Sequence, residues 1–307
     1  LPIHQTTIFA YFILFIAPAF FTTNVIFGRQ LLSVEPFTLA FLRWGLTSLI
    51  LLAFCKNDWS EMKRVYKANK ILSYFCGFLA FWICGGMVYF ALHYTSATNG
   101  ILIYTTPPIL ILAIEAIWRG RPITLREVIG ISIALVGAAI IIANGKLNNL
   151  LNLQFNKGDL IFVLAAISWA VYSVLLKSDK YASLSTLPLL TLLSICGTIT
   201  LLPFAAYEII YIGGLPTTQK EWILIAGIIL IASIGAFLCF QYGIKTLGAP
   251  IAGIFMYLLP PWGLFFAWAF LNEKLEQYHI IATVSILSGI IIATLPLKLF
   301  KRKKPSQ

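Results

Sequence analysis

Apolar residues run in long blocks along this chain, and polar residues gather in short stretches between them. Ten blocks of roughly 20 residues stand out, each long enough to cross about 30 Å of hydrocarbon as a helix. They lie near 7–29, 35–54, 71–93, 97–118, 123–143, 159–177, 184–211, 221–244, 250–271 and 277–298. The seventh is longer than a span needs and is expected to hold an interfacial piece around 207–211. Connections such as 92–97 and 245–250 are short, which makes their neighbours antiparallel hairpins. The pattern predicts an all-α polytopic membrane protein with ten transmembrane helices.

Two of the blocks are interrupted in the same way. Asn99, Tyr104, Pro107 and Pro108 fall inside the fourth, and Tyr257, Pro260 and Pro261 inside the ninth, with a tyrosine three residues before each proline pair. A double proline removes two backbone donors and clashes with the preceding turn. In lipid the freed carbonyls are tolerated only where protein or a water-filled cavity covers them. A shift of 153 residues superimposes the two proline pairs, Tyr104 on Tyr257, Tyr89 on Tyr242 and Ser132 on Ser285. The chain therefore reads as two five-helix units, 1–145 and 158–299, joined by a linker at 146–157 and followed by a basic tail at 300–307. Five helices per unit place the second copy upside down relative to the first. Broken helices at matching positions of inverted repeats are the sequence mark of a transporter binding site, with Pro107, Pro108, Pro260 and Pro261 as hinges.

Composition agrees. Hydrophobic residues make up 60% and charged residues 11%, against about 25% charged in soluble domains; mean hydropathy is +0.90. The net charge of +11 would suit nucleic acid, but its distribution argues for a membrane instead. Sixteen Lys and Arg lie in the 55–70, 119–126, 177–180 and 245 connections and the C-terminal tail, and five in the alternate connections. By the positive-inside rule both termini are cytoplasmic. The chain begins at Leu1, and its first apolar block lacks a basic flank, so that block reads as a retained helix and not a cleaved signal. The cysteines, Cys55, Cys76, Cys84, Cys196 and Cys239, form no CxxC pair and read as small hydrophobes. His4, His93 and His279 are too scattered for a metal cluster.

Few residues are left to carry chemistry. Arg43 lies inside the second block, where an arginine costs about 2.5–3.5 kcal/mol on insertion scales and must face the interior with a partner. It serves either as counter-ion for a substrate carboxylate or coupling acid, or as a structural tie to backbone carbonyls. Glu115 reads as an interfacial acid beside Arg119 and Arg121, and Glu208 as a surface acid. Trp82, Gly86, Tyr89 and His93 recur at helical spacing on one face of the third helix, which would line a cavity or pack as an aromatic stripe. Trp169, Tyr172 and Ser173 cluster on the sixth helix. Asn24 and Gln241 are amides at membrane depth, able to join helices or bond a substrate. Gly130, Ala134 and Ala138 form a small-residue packing stripe. No HExxH, GxSxG or P-loop is present. The chain is not expected to be an enzyme or to carry a cofactor or metal.

The stretch from Asn24 through Arg29, followed by Pro36 to Arg43 and Trp44, resembles the opening helices of EamA-domain transporters of the drug/metabolite transporter superfamily. The regions 97–144 and 249–295 are similar to that domain as well. Phe270-Leu271-Asn272-Glu273 matches its FLxE turn, from which Arg119-Gly120-Arg121 departs. The resemblance implies ten helices in inverted repeats, a central cavity, and gradient-driven export of small metabolites, often amino acids, across a bacterial-type cytoplasmic membrane. Asn24, Arg43, Trp82, Tyr89, Asn99, Tyr104, Trp169, Tyr172, Gln241 and Tyr257 are the expected substrate contacts, suited to aromatic or hydrophobic amino acids. Proton coupling is to be considered, with Glu115 the one acid near enough to membrane depth. An uncoupled facilitator is the alternative, a scaffold a remoter one, and the assembly is a monomer or a homodimer.

Overall fold

The computed structural model of the chain describes residues 3–95, 100, 103–146, 148, 156–271 and 275–294. Asn99, most of the 146–157 linker and the 300–307 tail lie outside them. The described residues are helical, with no strand among them. In chain order the helices are α1 (Ile3–Arg29), α2 (Pro36–Phe54), α3 (Trp59–Ala68), α4 (Lys70–Ala91) and α5 (Pro107–Arg119). They continue as α6 (Leu125–Ile142), α7 (Lys157–Leu175), α8 (Thr186–Ile212), α9 (Gln219–Leu247), α10 (Ala249–Phe270) and α11 (Gln277–Thr294).

Nine of these, all but α3 and α5, are long and apolar enough to cross a membrane. The expected fourth span is represented by the 13 residues of α5, too few to cross alone, and part of the stretch before it is outside the described residues. The seventh block is one helix, α8, which closes in a π turn at Glu208–Ile212 rather than in a separate piece. The connection after α2 contains an unanticipated helix, α3, whose Met62 and Val65 are buried while Lys63, Arg64 and Lys67 are exposed. Hydrogen bonds from Ser183 and Arg64 hold the Glu61 carboxyl on this helix below the usual carboxylate range.

Contacts between connections define two ends of the bundle. At one, Ser33 donates to Glu221 (2.6 Å), the Glu35 amide to the Gly214 carbonyl (3.4 Å), and Thr95 meets Asp159. At the other, Asn69 reaches the Lys180 carbonyl (3.4 Å), Arg119 the Val174 carbonyl (3.1 Å), Lys177 the Lys245 carbonyl (2.9 Å) and Tyr11 the Thr294 carbonyl (3.0 Å). These are called the Ser33 end and the Lys56 end below.

Helix starts need partners for backbone donors that have none within the helix. Capping boxes supply them at Thr124/Glu127, Asn156/Asp159 and Thr218/Glu221. Helix α2 has no such box, and Pro36 sits in its first turn. Its cap comes from another helix: Glu208 of α8 accepts from the Phe37 amide (3.2 Å), the Thr38 amide (2.6 Å) and the Thr38 hydroxyl (2.9 Å). The surface position expected for Glu208 is thus corrected; it is buried, because a carboxylate at a helix N-terminus offsets its own desolvation by charge-assisted bonds and the helix dipole.

The small-residue stripe packs internally, against α11. A methyl group added at Gly130 would fall 2.5 Å from the Gly289 carbonyl oxygen, and one at Gly137 would fall 2.7 Å from that of Ala282. Without a hydrophobic drive between helices in lipid, such close backbone approach is a main source of association. Gly130→Val should therefore part α6 from α11 and lower stability in detergent by about 2–3 kcal/mol, the cost of an overpacked contact, measured by thermal or chemical unfolding. Glu208→Ala should cost about 2 kcal/mol by losing charge-assisted bonds, with Glu208→Gln losing less in the same assay.

Candidate functional site

Near the Ser33 end four helices meet on Arg43. Its Nε donates to Ser233 Oγ of α9 (2.6 Å), and its Nη1 to Asn24 Oδ1 of α1 (3.0 Å) and to the Tyr89 hydroxyl of α4 (3.1 Å). Its Nη2 reaches the Ala232 carbonyl at 3.5 Å. The Tyr89 hydroxyl in turn donates to Asn24 Oδ1 (2.7 Å). The guanidinium lies 4.6 Å from the centroid of the Trp44 ring, an attractive cation–π arrangement. Arg43 is 4% exposed, so the partner demanded by its depth is present, and it is a set of neutral groups. Tyr104 stands beside this cluster, within hydrogen-bond reach of Cys84 and electrostatic range of Arg43 and Tyr89. Its ring meets Phe162 edge-on at 5.4 Å.

Helix α9 presents Ser233 and the Ala232 carbonyl from a π-helical stretch, Ile228–Gly235. The Ser233 hydroxyl turns back to the Ile228 carbonyl, five residues earlier, at 3.1 Å. Helix α4, the corresponding helix of the first copy, is π-helical over Phe78–Met87. Wider i→i+5 winding is rare and gathers at functional sites. It also changes which side chains share a face. Trp82 packs against Phe37 (5.5 Å), Phe78 (4.8 Å) and Phe204 (5.0 Å), and Gly86 faces Phe37 too. Tyr89 points to Arg43 instead, and His93 is exposed. The single face expected from α-helical spacing is thus divided in two, because every residue from Trp82 to Met87 is wound as π helix.

Toward the Lys56 end lies a second tyrosine–amide pair. Gln241 Nε2 donates to the Tyr172 hydroxyl (2.7 Å), and both residues are fully buried. Each copy therefore joins its first and third helices by one such bond, Asn24 to Tyr89 and Tyr172 to Gln241, with the residue types exchanged. Gln241 Oε1 and the buried Tyr257 hydroxyl have no hydrogen-bond partner among the described residues. Between the pairs sits a layer of rings. Trp44 packs on Phe81 (4.0 Å) and Phe237 (4.8 Å). Trp169 packs on Phe21 (5.6 Å), Phe237 (5.4 Å), Phe240 (5.1 Å) and Tyr172 (5.6 Å).

The proline pairs open helical segments in both copies. Pro107 and Pro108 fill the first turn of α5, where missing amide donors cost least. Pro260 and Pro261 follow a 3-10 stretch, Phe255–Leu258, that interrupts α10. The part of α10 before that stretch touches α5: a methyl at Gly253 would meet Ile111 at 2.8 Å and the Pro108 Cα at 3.6 Å. At the Lys56 end Glu115 is buried and pairs with Arg119 at 3.7 Å. Burial and the Arg119 guanidinium push the neighbouring Lys177 ammonium below the ordinary lysine range. Arg121 pairs with Glu127.

Ser233, Phe21, Phe81, Phe237 and Phe240 are the participants that the sequence did not single out. The phenylalanines carry no signal in blocks that are apolar throughout. Ser233 stands 190 residues from Arg43, with nothing local to mark it. Among the described residues no group of His, Cys, Asp and Glu could hold a metal ion.

The model of the EamA-like transporter family matches twice, over residues 8–143 and 156–295. The chain is 24% identical to the uncharacterized transporter YyaM of Bacillus subtilis (strain 168), covering 85% of each chain. It is 24% identical to the uncharacterized transporter YetK of the same organism, over 96% of this chain and 88% of that one. An uncharacterized transporter of Archaeoglobus fulgidus is 24% identical over 85% and 88%. A solved structure described only as a crystal structure of a protein shares the fold with a TM-score of 0.76 at 17% identity, over 97% of this chain and 99% of the other. With both halves matched by one family model, the chain belongs to the EamA-like transporter family.

Proposed function

We propose that this protein is a secondary transporter that exports small organic metabolites, amino acids with aromatic or hydrophobic side chains among them, by alternating access. The observation that carries the reading is the pair of tyrosine–amide bonds, one per copy, on opposite sides of an aromatic layer. In this reading ten helices form two inverted five-helix repeats, with both termini on the cytoplasmic side of a bacterial-type cytoplasmic membrane. The Asn24–Tyr89 and Tyr172–Gln241 pairs are the outer and inner polar shells of one path. Trp169 and its ring neighbours form the barrier between them. Tyr104 and Tyr257 contact the solute, and Pro107, Pro108, Pro260 and Pro261 let α5 and α10 bend. Trp82 and Asn99 are weaker members of the set: the first packs outside the Arg43 cluster, and the second is outside the described residues.

An uncoupled facilitator is the second reading, and one observation favours it. The buried acids Glu115, Glu127, Asp159 and Glu208 are engaged at helix ends by Arg119, Arg121, Thr95 and the α2 N-terminus. None of them stands beside Arg43 to carry a proton through the barrier. Counterflow in proteoliposomes with and without a pH gradient separates the two: acceleration by the gradient supports coupling, and equal rates support the facilitator.

The transport reading itself is tested by flux of a panel of labelled amino acids into liposomes containing the purified protein. Saturable flux of at least one hydrophobic amino acid above protein-free liposomes is expected, and its absence across the panel overturns the reading. Tyr257→Phe should raise the melting temperature of the ligand-free protein, by about 1 kcal/mol in stability, since it removes a buried hydroxyl without a partner. The same variant should slow flux severalfold, as loss of one solute hydrogen bond would.

A further inference from the structure

We infer that Arg43 receives the carboxylate, or a chemically similar oxyanion, of the transported solute. The inference rests on the transport reading and narrows its substrate to molecules bearing such a group. The argument starts from charge. All four partners of the guanidinium, Ser233 Oγ, Asn24 Oδ1, the Tyr89 hydroxyl and the Ala232 carbonyl, are neutral. The ion pairs among the described residues are Arg64–Glu61, Arg119–Glu115 and Arg121–Glu127, and none includes Arg43. The buried carboxylate that meets α2, Glu208, spends both oxygens on the start of that helix. A buried cation without a counter-charge is a costly arrangement. A purely structural tie between helices would be served by a neutral amide at lower cost.

The geometry leaves a donor for the missing charge. A guanidinium offers five donors in a planar fork that suits a carboxylate edge-on. Here Nη2 is the least used nitrogen, with one contact at 3.5 Å. Trp44 covers a face of the fork, so approach in the plane remains. Asn24 and Tyr104, at the same cluster, keep part of their surface accessible. The aromatic layer begins directly behind, at Trp44. A solute with an oxyanion at one end and an apolar ring or chain at the other would satisfy both features. The oxyanion would displace or share the Asn24 and Ser233 bonds and so act on α1 and α9 together.

Three probes with a common phenyl group test this: 3-phenylpropionate, phenylalanine and phenethylamine, added to the purified full-length protein in detergent while its melting is followed. Both carboxylates are expected to raise the melting temperature in a saturable way, and the amine is expected to leave it unchanged. In Arg43→Gln the affinity for 3-phenylpropionate should fall at least tenfold, with Arg43→Lys retaining part of it. The ligand-free Arg43→Gln protein should melt at or above the wild-type temperature, because an uncompensated charge has gone; a helix tie would instead melt lower. Where that variant fails to fold, the wild-type series decides alone. Equal protection by the amine, or none by either carboxylate, overturns the inference. Carboxylate binding without flux in liposomes would leave the Arg43 site standing and remove the transport reading. Flux of a solute with no oxyanion would do the reverse.

Discussion

In hydrocarbon every polar group must find its partner inside the protein, and this requirement orders the molecule from its helix ends inward. Helices α6, α7 and α9 begin on capping boxes and α2 on a carboxylate lent by α8. Hydroxyls within spans return to carbonyls of the preceding turn, as Thr22 does to Pro18 (2.8 Å) and Ser173 to Trp169 (2.7 Å). What remains after that accounting is small and concentrated. Arg43 with its neutral partners, the Tyr172–Gln241 pair and a few orphaned atoms are the polar content at depth.

Much of the fold was legible because its signals are local. Apolar block length marks spans, and the cost of a charge in lipid marks Arg43. Asn24, Tyr89, Tyr172 and Gln241 were legible for the same reason, as polar groups set in apolar surroundings. Helix α3 could have been found from Trp59, Met62 and Val65 at helical spacing, but its 10 residues fall below the length that separates a helix from a loop by pattern alone.

Other features were hidden for physical reasons. The Glu208 cap joins positions 170 residues apart, and a glutamate near the end of a span looks like any interfacial acid until its partner helix is placed. The ring layer of Phe21, Phe81, Phe237 and Phe240 is invisible where lipid-facing and core-facing positions are equally apolar. The grouping of Trp82 with Tyr89 assumed α-helical winding throughout α4, and the π stretch at Phe78–Met87 breaks that assumption. Periodicity arguments fail wherever the period itself changes.

The paired π stretches have one more consequence. A wide turn holds an extra residue in the helical ladder, and tightening it back to an α turn would slide the register by one position. Each residue of an α-helix advances about 100° around the axis. With both ends of α9 held, at Thr218 and at the Lys245 contact with Leu184, such a slip requires the wide turn to move along the helix, and it would swing Ser233 relative to Gln241. The same helix touches the Arg43 cluster and the Tyr172 pair. It is built like a crankshaft, with its torsional play stored between two bearings.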